Sequence, residues 1–366
     1  MSSNFNSLKV IEKINETIDS SSFLLEIPET LKDSYKYKSG QYLTLRVTVN
    51  GEELRRAYSI FTSPGENKFG FTVKRVENGK VSNYLIDKLY KGDSLDVMPP
   101  EGKFVLEPNV DLGRDHYFIA GGSGITPIMS MIMTVLEEEP KSTAYLIYGN
   151  RNESNIIFKS QLDDLESKYK NQFVATHVIS QPTKEKAGGL KGLFSKGKIS
   201  WDGIKGRIDK KCLLTFLDEN PSKSNNNYYY LCGPGGLIET AESCLKDTGV
   251  DSSKIKREYF TSADAPAKAA SGESSDAKVK VSLNGEKFEV NVPKDKTILE
   301  ALLDDGKDAP YSCTSGACST CIAKVKEGSV EMDACFALDD DEIKSGYILT
   351  CQARATTPTL DIDFDA

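Results

Sequence analysis

Five of the chain's eight cysteines lie beyond residue 312, and four of them fall into one pattern: Cys313-x4-Cys318-x2-Cys321, then Cys351 after a long gap. Two irons bridged by two sulfides need four thiolates. A tight loop presents three, the fourth comes from a separate segment, and this is the spacing of a [2Fe–2S] ligand set. Gly316 and Ala317 keep that loop small, so that backbone N–H groups can point at the sulfurs. Zinc commonly takes two C-x2-C pairs or adds histidine; neither pattern occurs here, and the only histidines are His116 and His177. Cys318-Ser319-Thr320-Cys321 also has the spacing of a redox dithiol. Cys335 lies outside the pattern and is expected to be a buried thiol. A disulfide framework belongs to small secreted chains rather than to one of this size.

Three other groups could do chemistry. Arg56-Ala57-Tyr58-Ser59 joins a guanidinium, which grips phosphate oxygens in pairs, to an aromatic ring that can cover a flat cofactor. Gly121-Gly122-Ser123-Gly124-Ile125-Thr126-Pro127 stands at a strand-to-helix switch, where glycines let a pyrophosphate approach the backbone and proline suits the first helical turn. It is not G-x-G-x-x-G, and a glycine-rich turn of this kind can equally be structural. Cys232-Gly233-Pro234 ends a strand, the edge at which parallel sheets bind ligands; an isolated cysteine is otherwise a packing residue. Arg151 and Arg207 are candidates to meet a 2′-phosphate, which tilts the expected donor toward NADPH over NADH, although either can be a solvated loop charge.

The elements that must position these groups change texture twice along the chain. Up to about residue 110, short strands (23–27, 42–47, 69–73) broken at Asn50-Gly51 and Asn78-Gly79 predict a small antiparallel β-barrel, with a helix from about Val81 capped by Ser82. From 111 to 262, strands at 116–120, 143–148, 173–178 and 228–232 alternate with helices near 128–135 and 157–170, which predicts a doubly wound parallel α/β sheet. Residues 184–206, basic and glycine-rich, read as an exposed excursion. Residues 263–276, rich in Ala, Ser, Pro and Gly, read as a flexible linker. From 277 to 366, strands 279–283 and 287–292 flank Asn284-Gly285, a hairpin signal, and a helix follows at 297–303.

At 366 residues, two or three domains are expected. No apolar run suggests a membrane span and no N-terminal segment reads as a secretory signal, so a cytoplasmic protein without membrane insertion is expected. From residue 273 onward there are 19 Asp/Glu against 10 Lys/Arg. That acidity disfavours nucleic acid and suits a basic protein surface.

Residues 277–366, with YSCTSGACSTC and the later LTCQA, resemble a plant-type ferredoxin domain, whose fold is the α+β β-grasp. RAYS, GGSGITP and CGP resemble the signatures of the ferredoxin–NADP reductase superfamily. That resemblance implies FAD in the barrel: Arg56 on its phosphate, Tyr58 on the isoalloxazine ring, Ser59 near N5. Gly79, Val81 and Ser82 would open a helix against the pyrophosphate, and Pro99–Phe104 would close the barrel. It further implies that Gly122, Gly124, Thr126 and Pro127 shape the nicotinamide site. Cys232, with Gly233 and Pro234, would lie beside nicotinamide C4, and Glu258 and Phe260 near the flavin. The domain order is similar to that of bacterial oxygenase reductase components, the phenylacetyl-CoA epoxidase type above all. The implied activity is electron transfer from NAD(P)H through FAD and a [2Fe–2S] cluster to an oxygenase, by a chain monomeric in isolation. A hybrid-cluster protein, a desaturase or a cytochrome as acceptor shares every motif; a non-enzymatic iron–sulfur redox module would not need the flavin and nicotinamide ones.

Overall fold

The computed structural model describes residues 5–185, 198, 199, 201–260 and 274–366. Six antiparallel strands open the fold: β1 (Asn6–Thr17), β2 (Ser20–Glu26), β3 (Tyr42–Val49), β4 (Glu52–Ser59), β5 (Gly70–Lys74) and β6 (Ser94–Val97), in the order β4-β3-β6-β1-β2-β5. A bridge between Ile60 and Phe71 brings the two edges together and closes the barrel. Its interior is filled by side chains such as Leu8, Phe23, Leu43, Leu45 and Phe71. Asn50 and Gly51, both at positive φ, make the β3–β4 turn that the sequence signals. Helix α1 (Lys80–Lys88) has Gly79 at its N-cap position. Ser82, expected as its cap, is instead inside the first turn, where its Oγ accepts from Val76 N at 3.1 Å. The hydroxyl reaches back across the turn, so the capping role and the sequence position separate by three residues.

The second sheet is built from β7 (Asp115–Gly121), β8 (Thr143–Asn150), β9 (Phe173–Ile179), β12 (Ile204–Lys205), β13 (Asn227–Cys232) and β14 (Ile255–Glu258). It is wholly parallel, in the order β12-β9-β8-β7-β13-β14. β10 (Lys184–Glu185) and β11 (Lys198–Ile199) pair with each other as a separate two-strand ribbon. Helices α2 (Ile125–Glu138), α3 (Lys159–Lys168), α4 (Lys210–Glu219) and α5 (Gly235–Asp247) cover the sheet. Along β7, Phe118 and Ala120 enter one core while Tyr117 and Ile119 enter the other, which is why this strand reads as an unbroken apolar run. The excursion expected at 184–206 is exposed at 202–206, but it ends in regular structure: Ile204 and Lys205 pair with Val178 and Ile179 as the sheet's edge strand, and Trp201 packs against the core. Residues 186–197 and 200 lie outside the described ones.

The third unit contains β15 (Ala277–Leu283), β16 (Glu286–Val292), β17 (Ile322–Glu327), β18 (Val330–Met332), β19 (Tyr347–Leu349), β20 (Ala353–Ala355) and β21 (Thr359–Asp363). Five of these form one sheet in the order β16-β15-β21-β17-β19, and β18 pairs separately with β20. Helix α6 (Ile298–Asp304) starts with a capping box between Thr297 and Glu300, and α7 (Asp340–Lys344) is shorter. Asn284 and Gly285 at positive φ form the expected hairpin turn. Cys335 is half-buried at the edge of this core rather than enclosed by it. Most of the expected linker, 263–273, lies outside the described residues; Ser275 N already bonds to Ala355 O at 2.9 Å. Among the described residues, no helix is long and apolar enough to cross a membrane.

Candidate functional site

One cleft of about 370 Å³ is lined by residues of all three units. The barrel supplies the first wall. Strand pairing sets Ser59 opposite Tyr42 and Arg56 opposite Leu45, so the RAYS motif runs along the cleft's rim at fixed height. Arg56 Nη1 donates to the Arg55 carbonyl at 2.7 Å, which turns the guanidinium back onto its own strand. Tyr58 packs against Phe71 at 5.8 Å between centroids, and burial raises its phenol so that it stays neutral. Ser59 is buried.

Gly79, Lys80, Val81 and Ser82, at the start of α1, line the same wall. A Cβ at Gly79 would fall 2.6 Å from Ser82 Oγ, so only glycine lets the turn close this tightly. The unpaired amides of a helix start suit a phosphate. Lys74 and Lys80, which motif reading missed, also line this wall, paired with Asp19 at 3.8 Å and Glu52 at 2.5 Å. The only signal for them was their nearness to the glycine turn.

The parallel sheet supplies the second wall through Ser123, Thr126, Glu258, Tyr259 and Phe260. Behind it the glycine loop and the Cys232-Gly233-Pro234 turn meet backbone to backbone: a Cβ on Gly124 would lie 2.7 Å from Gly233 N and closer still to the Cys232 carbonyl. A Cβ on Gly121 would fall 2.7 Å from Pro234 Cδ. Tyr148 ties this loop down by donating to the Gly122 carbonyl at 2.8 Å. Gly122, Gly124, Pro127, Gly233 and Pro234 thus shape the junction and do not line the cleft. Cys232 is fully buried behind the wall, paired in register with Glu258; burial, then the Glu258 charge, raises its thiol. Arg151 is exposed at the end of β8, outside the cleft.

Glu258 has an Oε2 sealed from solvent with no hydrogen-bond partner among the described residues, and burial pushes its carboxyl up to about 8. The folded chain therefore binds this proton more tightly than the unfolded chain, whose carboxyl titrates near 4.5. Its contribution to stability falls as pH rises from about 4.5 to about 8. Glu258→Gln, locked neutral, is expected to lose that slope in thermal melts. Wild type is expected to take up hydride more slowly above about pH 8, and the variant is expected to lose that decline. A wild-type rate profile flat through that range would contradict the assignment.

The third wall is the cysteine loop: Cys313, Ser315, Ala317 and Cys318. Backbone N–H groups of Ser315 and Cys318 donate to Cys313 Sγ at 3.4 and 3.3 Å, the arrangement expected from the small loop. Gly316, at φ +74°, makes this possible; a Cβ there would lie 2.8 Å from the Ala334 carbonyl. Thr350 donates to the Cys321 carbonyl through both N (3.1 Å) and Oγ1 (3.0 Å), which brings Cys351 beside the loop. The thiols associate as Cys313 with Cys318 and Cys321 with Cys351. Within the first pair, the hydrogen bond lowers Cys313 and raises Cys318. Among the described residues, no three such ligands converge as a single-ion site. Two thiol pairs side by side are the donor set of a two-iron cluster, in which each iron takes two thiolates. The residues present fit that group, and the cleft beside them fits a flavin.

Three family models match: an oxidoreductase FAD-binding domain over residues 7–106, an oxidoreductase NAD-binding domain over 118–243, and a 2Fe-2S iron-sulfur cluster binding domain over 281–356. The chain is 35% identical to a component of the 1,2-phenylacetyl-CoA epoxidase of Escherichia coli, over 99% of this chain and 98% of that one. It is 32% identical to the ferredoxin reductase component of 3-ketosteroid-9-alpha-monooxygenase of Rhodococcus rhodochrous, over 98% and 96%. Among solved structures, phthalate dioxygenase reductase superposes with a TM-score of 0.58 at 26% identity, covering 99% of this chain and 98% of that one.

Proposed function

The chain belongs to the family of FAD- and [2Fe–2S]-containing oxygenase reductase components, oxidoreductases of the ferredoxin-reductase type, and from that premise we propose its partner and the division of labour among its residues. The acceptor we propose is an oxygenase of the phenylacetyl-CoA epoxidase type, supported by the 35% identity over nearly the whole of both chains. The observation that carries the residue roles is the single cleft shared by the RAYS wall, the glycine-loop wall and two cluster cysteines. We divide the chain into a flavin domain (1–110), a nicotinamide domain (111–262), a linker (263–276) and a cluster domain (277–366), working in the cytoplasm.

FAD supplies, when bound, the ability to accept two electrons as hydride and release them singly. Arg56 and the α1 amides hold its phosphates, and Tyr58 covers its ring. Ser59 presents a buried hydroxyl to the reacting edge. Thr126, whose hydroxyl donates to the Ser123 carbonyl at 3.0 Å, and the Gly124–Cys232 junction seat the nicotinamide. Glu258 keeps that wall neutral, because its carboxyl stays protonated at pH 7. Cys313, Cys318, Cys321 and Cys351 hold the cluster, whose first pair lies on the cleft wall.

Arg151, exposed and without an acidic partner among the described residues, meets the 2′-phosphate in this reading. Arg151→Ala is expected to raise KM for NADPH about tenfold and leave that for NADH unchanged, by loss of one charge-assisted contact. Equal effects on both nucleotides would remove the assignment. The partner is tested by reconstitution: oxidation of the nucleotide should couple to epoxidation when the epoxidase oxygenase component is added. Coupling to a ketosteroid oxygenase instead would redirect the partner.

A further inference from the structure

We propose that Thr320, between two cluster cysteines, is a positioning residue that holds the cluster loop against the flavin cleft through Tyr42 and Glu101 of the barrel. Its Oγ1 lies 2.9 Å from Tyr42 Oη and donates to Glu101 Oε2 at 3.0 Å. Cys318 Sγ is 3.6 Å from the same oxygen. A threonine hydroxyl has one proton and two lone pairs. Giving the proton to Glu101 and accepting from Tyr42 leaves it tied to the barrel on both sides, inside a contact where Thr320 is only 8% exposed.

The barrel presents these two partners as a rigid unit. Tyr42 N donates to the Glu101 carbonyl at 2.8 Å and Glu101 N to the Tyr42 carbonyl at 3.0 Å. Gly102, at φ +119°, lets the turn fold onto the Tyr42 ring, which a Cβ there would approach to 3.0 Å. Tyr42 is also the strand partner of Ser59. One hydroxyl therefore connects a proposed cluster ligand, a residue of the cleft wall and a carboxylate whose one hydrogen-bond partner among the described residues is Thr320 itself. Burial pushes the Glu101 carboxyl up, and the Thr320 bond pulls it back.

Tyr42 also meets Ser319, next to Thr320, through a side-chain hydrogen bond, and the charged contacts across this boundary are of a different kind. Arg55 meets Asp308 at 3.3 Å and stacks 4.5 Å over the Tyr311 ring, and Lys103 pairs with Glu342. Those ion pairs reach solvent on at least one side and weaken with salt. The Thr320 contact is buried and is not screened in that way.

The test rests on the proposed flavin-to-cluster route and separates from it. In full-length holoenzyme, Thr320→Val removes the hydroxyl at nearly constant shape; Thr320→Ser keeps it and loses the methyl. Stopped-flow reduction is expected to show an unchanged flavin phase in both variants. The following cluster phase should slow about tenfold or more in T320V, the factor for two lost buried hydrogen bonds, and should stay within about twofold of wild type in T320S. Independently of turnover, deuterium exchange over residues 98–104 and 310–322 should rise in T320V only. Equal behaviour of Val and Ser variants, or a T320V cluster phase at the wild-type rate, would overturn the proposal. If T320V does not load its cluster, Glu101→Ala removes the same bond from the barrel side, and a wild-type cluster phase there would equally overturn it. Loss of the flavin phase in wild type would instead count against the route itself.

Discussion

Cys351→Ala is expected to yield a protein whose flavin is still reduced by the nicotinamide but which delivers almost nothing to its oxygenase. Cys351 is buried and pairs with Cys321, while Cys313 pairs with Cys318. Alanine offers no donor atom, so one of the two irons would keep a single protein thiolate and the cluster would not persist. Visible absorption beyond the flavin bands and the signal of the reduced cluster should both vanish. Reduction of ferricyanide, which can draw electrons from the flavin directly, should stay within about twofold of wild type, whereas delivery to the oxygenase should fall about 100-fold or more because its route is gone. Ferricyanide reduction falling in parallel would mean that the substitution had unfolded more than the cluster loop.

The second large effect is expected at Gly124. Its backbone is helical and unstrained, so the objection to a side chain is contact alone. The Cβ of Gly124→Ala would be driven into the Cys232 carbonyl and would stand 2.7 Å from Gly233 N; both neighbours are backbone and neither can rotate away. The glycine loop and the Cys232 turn would have to part, and these two loops form the seat assigned to the nicotinamide. Overpacking of this kind costs roughly 1–3 kcal/mol in stability. The rate of flavin reduction should fall about 100-fold, since misplacement by an ångström has that order of effect. Gly236→Ala is the control: nothing stands within 4 Å of its Cβ, and it lies in the first turn of α5. It should be neutral or slightly stabilising. A Gly124→Ala variant reduced at the wild-type rate would place hydride uptake elsewhere.

The motifs were legible because each is a local device. Three cysteines in nine residues, four glycine-loop positions before a helix and a turn closing on Cys232 are each confined to one short segment, so spacing alone exposes them. The alternation of strands and helices between 115 and 258 was legible for the same reason, since buried parallel strands show as continuous apolar runs. What escaped depends on pairing across distance. Ile204–Lys205 is a two-residue strand defined only by Val178 and Ile179 beside it. Ser82 has the chemistry of a cap, yet the turn before α1 brings Val76 N to it instead. The Tyr42–Thr320 contact joins residues 278 positions apart. No periodicity in either segment signals it, because neither residue departs from what its own strand or loop requires.

The most direct test of the central claim, that hydride enters at the cleft and electrons leave through the Cys313–Cys351 cluster, is an anaerobic titration of the purified full-length chain with NADPH and, separately, NADH. The account predicts flavin bands at about 450 nm and cluster absorption at roughly 550 nm, both bleached by one nucleotide, with the cluster following the flavin. Cluster absorption without flavin, or a flavin that neither nucleotide reduces, would contradict it.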